Sequence, residues 1–216
     1  MYQTKLASVL AAGLLSAAAA SADTVNLDFT GATSYASVAD FYNGGYDSAG
    51  ATGTNYGASF TGSMIALTND GTGSGSNGQF FTNAPTSTVV FANANDVPAV
   101  MNVASGFNSS FSVTYSSVSA PTTVSIWSGL NDTGTLLSSF TLAANSDSCV
   151  AGSPACVWTT TQVNFAGEAQ SVDFSSNAAN ALFTNIGYAV PLPASGLLMT
   201  FGLGGLALFG VRRRAA

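Results

Sequence analysis

The sequence predicts an all-β fold, an antiparallel β-sandwich of jelly-roll type, followed by a C-terminal transmembrane helix. Apolar residues alternate with polar ones in short runs, turn-forming clusters separate these runs, and an uncharged apolar stretch lies near the C-terminus. The chain has 216 residues, 47% of them hydrophobic and 6% charged. This length and apolar content are sufficient for one well-buried core.

The N-terminal segment has the features of a signal peptide. Lys5 precedes an apolar run from Leu6 to Ala20, and Ala20-Ser21-Ala22 supplies the small-x-small pattern that signal peptidase accepts. We therefore expect residues 1–22 to be removed by cleavage between Ala22 and Asp23. The protein is predicted to be exported, with residues 23–189 as its folded domain.

Alternation of apolar and polar residues identifies the strands of this domain. Val25, Leu27 and Phe29 alternate with polar residues, and the run from Phe107 to Tyr115 keeps its apolar side chains on one face. About eight to ten short strands spaced in this way indicate a sandwich. Further strands are predicted around Val124 and Ile126, over 157–165 and around Val172 and Phe174, with turns at Asn43–Gly45, Asn69–Gly71, Asn131–Gly134 and Ala166–Gly167.

The two cysteines of the chain lie close together in sequence. Cys149 and Cys156 flank a short loop that contains glycine and proline, and an exported protein meets an oxidising compartment. We predict a disulfide between them, which stabilises the fold by roughly 2 kcal/mol at most because the closed loop is short. A zinc site is disfavoured, since the chain has no histidine and no second cysteine pair.

The charge distribution excludes several classes of partner. Residues 23–211 contain no Lys, Arg or His, whereas all ten acidic residues of the chain fall there. A surface without cations cannot neutralise phosphates, so we expect no nucleic acid binding. Binding to anionic lipid is disfavoured for the same reason.

The C-terminal segment is predicted to cross a membrane. Residues Ala194 to Val211 carry no charge, and as a helix they would extend about 27 Å, enough to span a hydrocarbon core. Arg212, Arg213 and Arg214 follow directly, and such a cluster keeps its side of the membrane cytoplasmic. The expected precursor is tethered transiently to the inner membrane, with its C-terminus in the cytoplasm.

A five-residue motif precedes this span: Val190, Pro191, Leu192, Pro193 and Ala194. Together with the Gly- and Leu-rich span and the arginines, residues 190–216 resemble the VPLPA variant of the PEP-CTERM sorting signals, which are recognised by exosortases. The resemblance implies processing near the motif and delivery to the cell surface or extracellular matrix. The prolines suit that role because they hold an extended segment ahead of the membrane helix.

The domain also resembles the sandwich domains common in PEP-CTERM proteins, which are similar in architecture to galactose-binding-like jelly rolls. The similarity lies in residues 123–137 and 163–174, with residues 38–48 as a further part. In many such domains the last strand has an aspartate after an aromatic residue. Here Thr184 follows Phe183, so a role for that aspartate does not transfer.

Catalysis finds little support in the residues present. A serine or cysteine triad needs a base, and the chain has no histidine and no exported lysine. Two carboxylates can hydrolyse a glycoside, with Glu168 and one aspartate as the alternative pair. Glu168 lies in a predicted Ala166–Ala169 turn, where a solvated carboxylate is the ordinary interpretation. We predict that the protein is not an enzyme.

Two binding alternatives stay open. A structural calcium ion could use oxygen ligands from loops, although Asn-Asp-Gly clusters are first of all turn formers and no EF-hand spacing exists. Its loop candidates are Asp47, Asp70, Asp96, Asp132 and Asp147. Carbohydrate binding would use aromatic side chains beside amides, and the residues in question are Phe41, Tyr42, Tyr46, Trp127 and Trp158.

The prediction as a whole is an exported, exosortase-processed protein with a structural or adhesive role at the cell surface or in the extracellular matrix. Exosortase and signal peptidase are its expected processing partners, and no cofactor is predicted. The alternative is a carbohydrate-binding module that recognises exopolysaccharide.

Overall fold

The computed structural model describes residues 23–69, 80–93, 97–149 and 153–191. The predicted signal peptide and the predicted span with its arginines lie outside these residues. No helix among the described residues is long and apolar enough to cross a membrane. These residues form nine strands: β1 (Asp23–Leu27), β2 (Ala58–Phe60), β3 (Met64–Thr68), β4 (Thr88–Ala92), β5 (Val100–Ser117), β6 (Thr122–Trp127), β7 (Leu136–Leu142), β8 (Thr159–Asp173) and β9 (Ala181–Val190).

The strands form a continuous antiparallel sheet that folds into two layers, because the long strands β5 and β8 bend and belong to both. The first layer has the order β2-β5-β8-β6-β7. The second has the order β8-β5-β9-β4-β3, and β1 continues along the same side of β9 as β4. The bend in β5 coincides with a register shift between Asn102 and Phe107, where Gly106 has a φ of 74°. The predicted all-β sandwich is therefore confirmed.

The main core lies between the two layers. Phe111 on β5 is fully buried, and its ring centroid lies 6.3 Å from that of Phe140 on β7 and 6.3 Å from that of Phe174 beyond β8. Val124 and Ile126 are completely buried on the inner face of β6. The alternation that predicted these strands thus identifies the core-facing side chains correctly.

A smaller apolar cluster covers the outer face of the second layer. Leu67, Val89 and Leu182 are buried there beneath Phe81 and Ala155. The segment that contains Ala155 is closed by the disulfide between Cys149 and Cys156, as the sequence predicts. The disulfide therefore restrains a segment that shields this cluster from water.

The first and last described strands pair with each other. Asp23 at the start of β1 lies opposite Val190 at the end of β9. All nine strands and both apolar clusters fall within one compact unit, Ala22–Leu192. Residues 23–191 therefore contain the whole described sandwich and can be produced as a separate domain.

One turn prediction is wrong, and two are confirmed. Ala166 and Gly167 lie inside the continuous strand β8, where Gly167 has a φ of 99° and the strand bends from one layer to the other. The predicted strands at 157–165 and around Val172 are consequently parts of a single strand. The predicted turns at Asn43–Gly45 and Asn131–Gly134 are present, with Gly44, Asn131 and Asp132 left-handed.

Candidate binding surface

Asp47, one of the calcium candidates, is a buried carboxylate that organises a loop. Its Oδ1 accepts hydrogen bonds from the amides of Ala49 and Ala51, both at 2.9 Å, and its Oδ2 accepts one from the amide of Thr33 at 2.8 Å. Burial alone would raise the pKa of Asp47, but these amide donors outweigh it, so the pKa lies below the ordinary 3.8. These oxygens are occupied by amide donors, which favours a structural role over metal coordination.

The outer face of the first layer carries a polar group that we term the outer-face cluster. Asn102, Ser171 and Trp127 are neighbours across β5, β8 and β6. The β6–β7 loop folds over them and adds Asn131 and Asp132. The cluster consists of Asn102, Trp127, Asn131, Asp132, Ser171 and Asp173.

Hydrogen bonds hold the loop onto this face. Asn102 and Asn131 form a reciprocal pair, because Asn102 Nδ2 donates to Asn131 Oδ1 at 2.9 Å and the amide of Asn131 donates to Asn102 Oδ1 at 2.8 Å. The amide of Asp132 donates to Ser171 Oγ at 3.1 Å, and that hydroxyl donates to the carbonyl of Gly129 at 2.6 Å. The loop position is thus fixed by polar side chains of two strands.

Two buried polar atoms of the outer-face cluster have no hydrogen-bond partner among the described residues: Asp132 Oδ1 and Trp127 Nε1. Burial, and next the negative charge of Asp173, raise the pKa of Asp132 to about 6. The charged form of Asp132 is therefore disfavoured in the fold. Trp127 is half-buried in this cluster and does not present a free platform.

Asp132→Asn is expected to remove a pH dependence of stability. Because the folded pKa of about 6 exceeds the ordinary 3.8, the folded state binds the extra proton between these values, and stability falls as pH rises through this window. The melting temperature of the wild type relative to Asp132→Asn should decline between about pH 4 and 6 and then stay level. Asp147→Asn at an exposed site is the control. A constant difference between wild type and Asp132→Asn across this window would contradict the assignment.

The remaining carboxylate candidates do not assemble into a site. Asp147 is exposed, and Asp70 and Asp96 lie outside the described residues. Glu168 is exposed on β8 opposite Asn108, within the strand and not in a turn. In the described part of the chain, no three His, Cys, Asp or Glu side chains are grouped as a metal site would require.

The aromatic glycan candidates have different environments. Phe41 and Tyr42 are buried, so neither can meet a glycan from the surface. The Tyr42 hydroxyl instead accepts the amide of Phe29 at 2.6 Å. Trp158 is half-buried, stacks edge-on against Phe81 and donates its Nε1 to a carbonyl. Of the five aromatic candidates, Tyr46 is the exposed one, at 65%.

Sequence reasoning missed an aromatic hollow on the second layer. Tyr35 is 67% exposed and Phe80 is 47% exposed, and with Phe91 they border a cavity of 80 Å³. Its floor includes Leu67 and Leu182. The signal was not local, because these residues come together only when β3, β4 and β9 pair. The hollow can receive a small apolar surface, such as one face of a ring.

No protein-family model and no curated protein matches this chain. Among solved structures, the K2 cleaved adhesin domain of Lys-gingipain is 13% identical with a TM-score of 0.47, covering 77% of this chain and 99% of that one. A family 29 carbohydrate binding module from Piromyces equi is 14% identical with a TM-score of 0.40, covering 79% and 91%. The module CBM6cm-2 from Cellvibrio mixtus lichenase 5A is 13% identical with a TM-score of 0.35, covering 62% and 90%.

Proposed function

We propose that this chain is an exported, exosortase-processed protein whose sandwich serves as a non-catalytic structural or adhesive component at the cell surface or in the extracellular matrix. The observation that carries the proposal is the position of the sorting motif. Val190 is both the last residue of β9 and the first residue of the VPLPA motif. Removal of the tail after Val190 would leave every described strand intact.

The N-terminal boundary supports the same proposal. Asp23, the residue expected after signal-peptide cleavage, is the first residue of β1 and pairs with Val190. The two processing sites therefore lie at the same end of the β1–β9 pair. Cleavage before Asp23 and cleavage after Val190 would each remove no core residue. The jelly-roll, galactose-binding-like arrangement of the sandwich belongs to this proposal.

The carboxylates of the domain favour a non-catalytic role. The oxygens of Asp47 are occupied by backbone amides, and Glu168 is exposed on a strand. Asp132 and Asp173 interact electrostatically, but Asp132 Oδ1 is buried, which keeps it from a substrate. The domain also has no histidine, lysine or arginine to serve as a base or electrophile.

Intact mass and location of the product test the proposal. The wild-type protein should begin near Asp23, end within 190–195 and be found at the surface or in the medium. Replacing Pro191 and Pro193 together by alanine should leave the tail attached and the protein in the inner membrane, because the extended segment is lost. Pro121→Ala, in an exposed loop, is the control and should be processed normally. A wild-type protein that keeps its tail in the inner membrane would overturn the proposal.

A second candidate function is carbohydrate binding, favoured by the aromatic hollow. Tyr35, Phe80 and Phe91 offer ring surfaces at its rim and wall. Since residues 23–211 carry ten acidic side chains and no cation, an anionic polysaccharide would be repelled. An uncharged exopolysaccharide is the ligand class that this surface fits.

Binding of neutral polysaccharides to residues 23–191 tests this candidate. Tyr35→Ala and Phe91→Ala should weaken binding about tenfold or more, because each removes a wall of the hollow. Tyr46→Ala removes an equally exposed tyrosine outside the hollow and should have no effect. Binding that is lost instead on Trp127→Ala or Trp158→Ala would place the glycan elsewhere, and absence of binding to every neutral glycan would reject the candidate.

A further inference from the structure

One side of the sandwich has a free strand edge in each layer. In the first layer, β7 pairs with β6 alone, and in the second, residues Thr159–Gly167 of β8 pair with β5 alone, as far as the described residues show. The two edges lie beside each other, because a Cβ at Gly167 would be 3.3 Å from Leu137 Cδ2. We term residues 133–146 and 157–167 the open side.

The core is incompletely covered along the open side. Leu137, Phe140, Val163 and Phe165 pack against the main core, yet each remains only partly buried. Leu136 at the start of β7 is 46% exposed. The open side thus combines unpaired strand edges with apolar side chains that an added layer of protein would cover.

The open side is also free of charge, in contrast to its borders. Residues 133–146 and 157–167 contain no acidic or basic residue, whereas Asp132, Asp147 and Glu168 adjoin them. Exposed edge strands are usually protected by lysine, proline or inward-pointing charge, and both edge strands here lack all three. In a domain without cations, this is a surface where two like-charged copies can approach with little repulsion.

We propose that the open side is a self-association surface, on which the β8 edge of one copy pairs antiparallel with the β8 edge of a second copy. The edge presents backbone donors and acceptors at strand spacing, which an extended polypeptide satisfies. A second copy supplies the same uncharged edge and the same half-buried apolar residues, so the contact is self-complementary about a two-fold axis. This inference goes beyond display of the domain and does not depend on tail processing.

The expected association is weak and reversible. Nine strand residues at about 3.3 Å each are roughly 30 Å long, which across two layers about 10 Å apart gives a footprint of roughly 300 Å² on each copy. A stable interface buries about 800 Å² on each partner. Association is therefore expected at high local concentration, as on a crowded surface, and at high micromolar concentration in solution.

Sedimentation equilibrium of residues 23–191 at increasing concentration tests the proposal. Replacing Gln162 and Asn164 together by aspartate should raise the dissociation constant about tenfold or more, because four carboxylates would face one another across the paired edges. Both side chains are exposed and make no hydrogen bond within the described residues. The matched control, Thr52→Asp with Thr54→Asp, adds the same charge at the same spacing in an exposed loop near β2.

Wild-type association that is retained by the control and weakened by the edge variant supports the proposal. A wild type that stays monomeric at millimolar concentration, or an edge variant that associates as well as the control, overturns it. Amide hydrogen exchange of the wild type gives a test that needs no variant. Protection of amides in Thr159–Gly167 should increase with protein concentration, while that of β6 should not; no increase along β8 would also overturn the proposal.

Discussion

Replacing Asp47 by alanine is expected to lower the free energy of unfolding by about 3 to 5 kcal/mol. The carboxylate, which is itself buried, accepts the amides of Thr33, Ala49 and Ala51 in a loop that is otherwise largely exposed. Alanine would leave all three donors without an acceptor, and each buried unsatisfied donor costs about 1 to 3 kcal/mol, less where water can enter. Urea denaturation of residues 23–191 measures the loss directly.

Two further variants separate the hydrogen bonds from the charge. Asp47→Asn keeps one acceptor oxygen but turns an amino group toward an amide donor, so an intermediate loss is expected. Asp147→Ala removes an exposed aspartate and should change stability by no more than about 0.5 kcal/mol. If Asp47→Ala and Asp147→Ala were equally stable, the amides around Asp47 would not depend on its carboxylate.

The same residue should also determine acid sensitivity. Because the folded pKa of Asp47 lies below 3.8, its stabilising contribution is present above the unfolded pKa and is lost as pH falls through the folded value. Asp132 has the opposite dependence, since its pKa is raised to about 6. The wild type should therefore be most stable between the two transitions. Its stability should decline toward more acidic pH, as Asp47 is protonated, and toward about pH 6, as Asp132 loses its proton.

Local alternation located β1, β5, β6 and β8 but not the five other described strands. In Phe107–Tyr115 the residues Phe107, Phe111, Val113 and Tyr115 are all buried in the main core, whereas Ser109, which continues the same alternation, is exposed at a register shift. This pattern fails to specify bends: at Gly167 a glycine that resembles a turn residue lets β8 change layers without ending. A glycine in a turn and a glycine at a strand bend both have a positive φ. Only the pairing of β8 with β5 and β6 distinguishes the bend at Gly167 from a turn.

The candidate site was less accessible to sequence reasoning than the fold. Trp127 was predicted as a possible glycan contact, but its Nε1 is buried, and the β6–β7 loop that follows it is fixed by Asn102 and Ser171 from other strands. The aromatic hollow depends likewise on Tyr35, distant in sequence from Leu182. Spacing along the chain carries no information about such contacts between strands.

The second large effect is expected for Phe111→Ala, with a loss of about 3 to 5 kcal/mol in the free energy of unfolding. Phe111 is fully buried at the centre of β5, where it pairs with Val163 on β8 and Tyr188 on β9. Its ring also lies between Phe140 on β7 and Phe174 beyond β8, so it joins the two layers. The cavity left by alanine cannot close, because strands on both layers would have to move together.

Phe111→Leu and Phe80→Ala are the reference variants with which the loss in Phe111→Ala is compared. Leucine keeps much of the buried volume and should cost less than half as much as alanine, whereas Phe80 is 47% exposed and its loss should change stability little. Urea midpoints with unchanged slopes would show that the loss lies in the folded core. If Phe111→Ala cost no more than Phe80→Ala, the two layers would not be held together by this ring, and the packing described between β5 and β7 would be wrong.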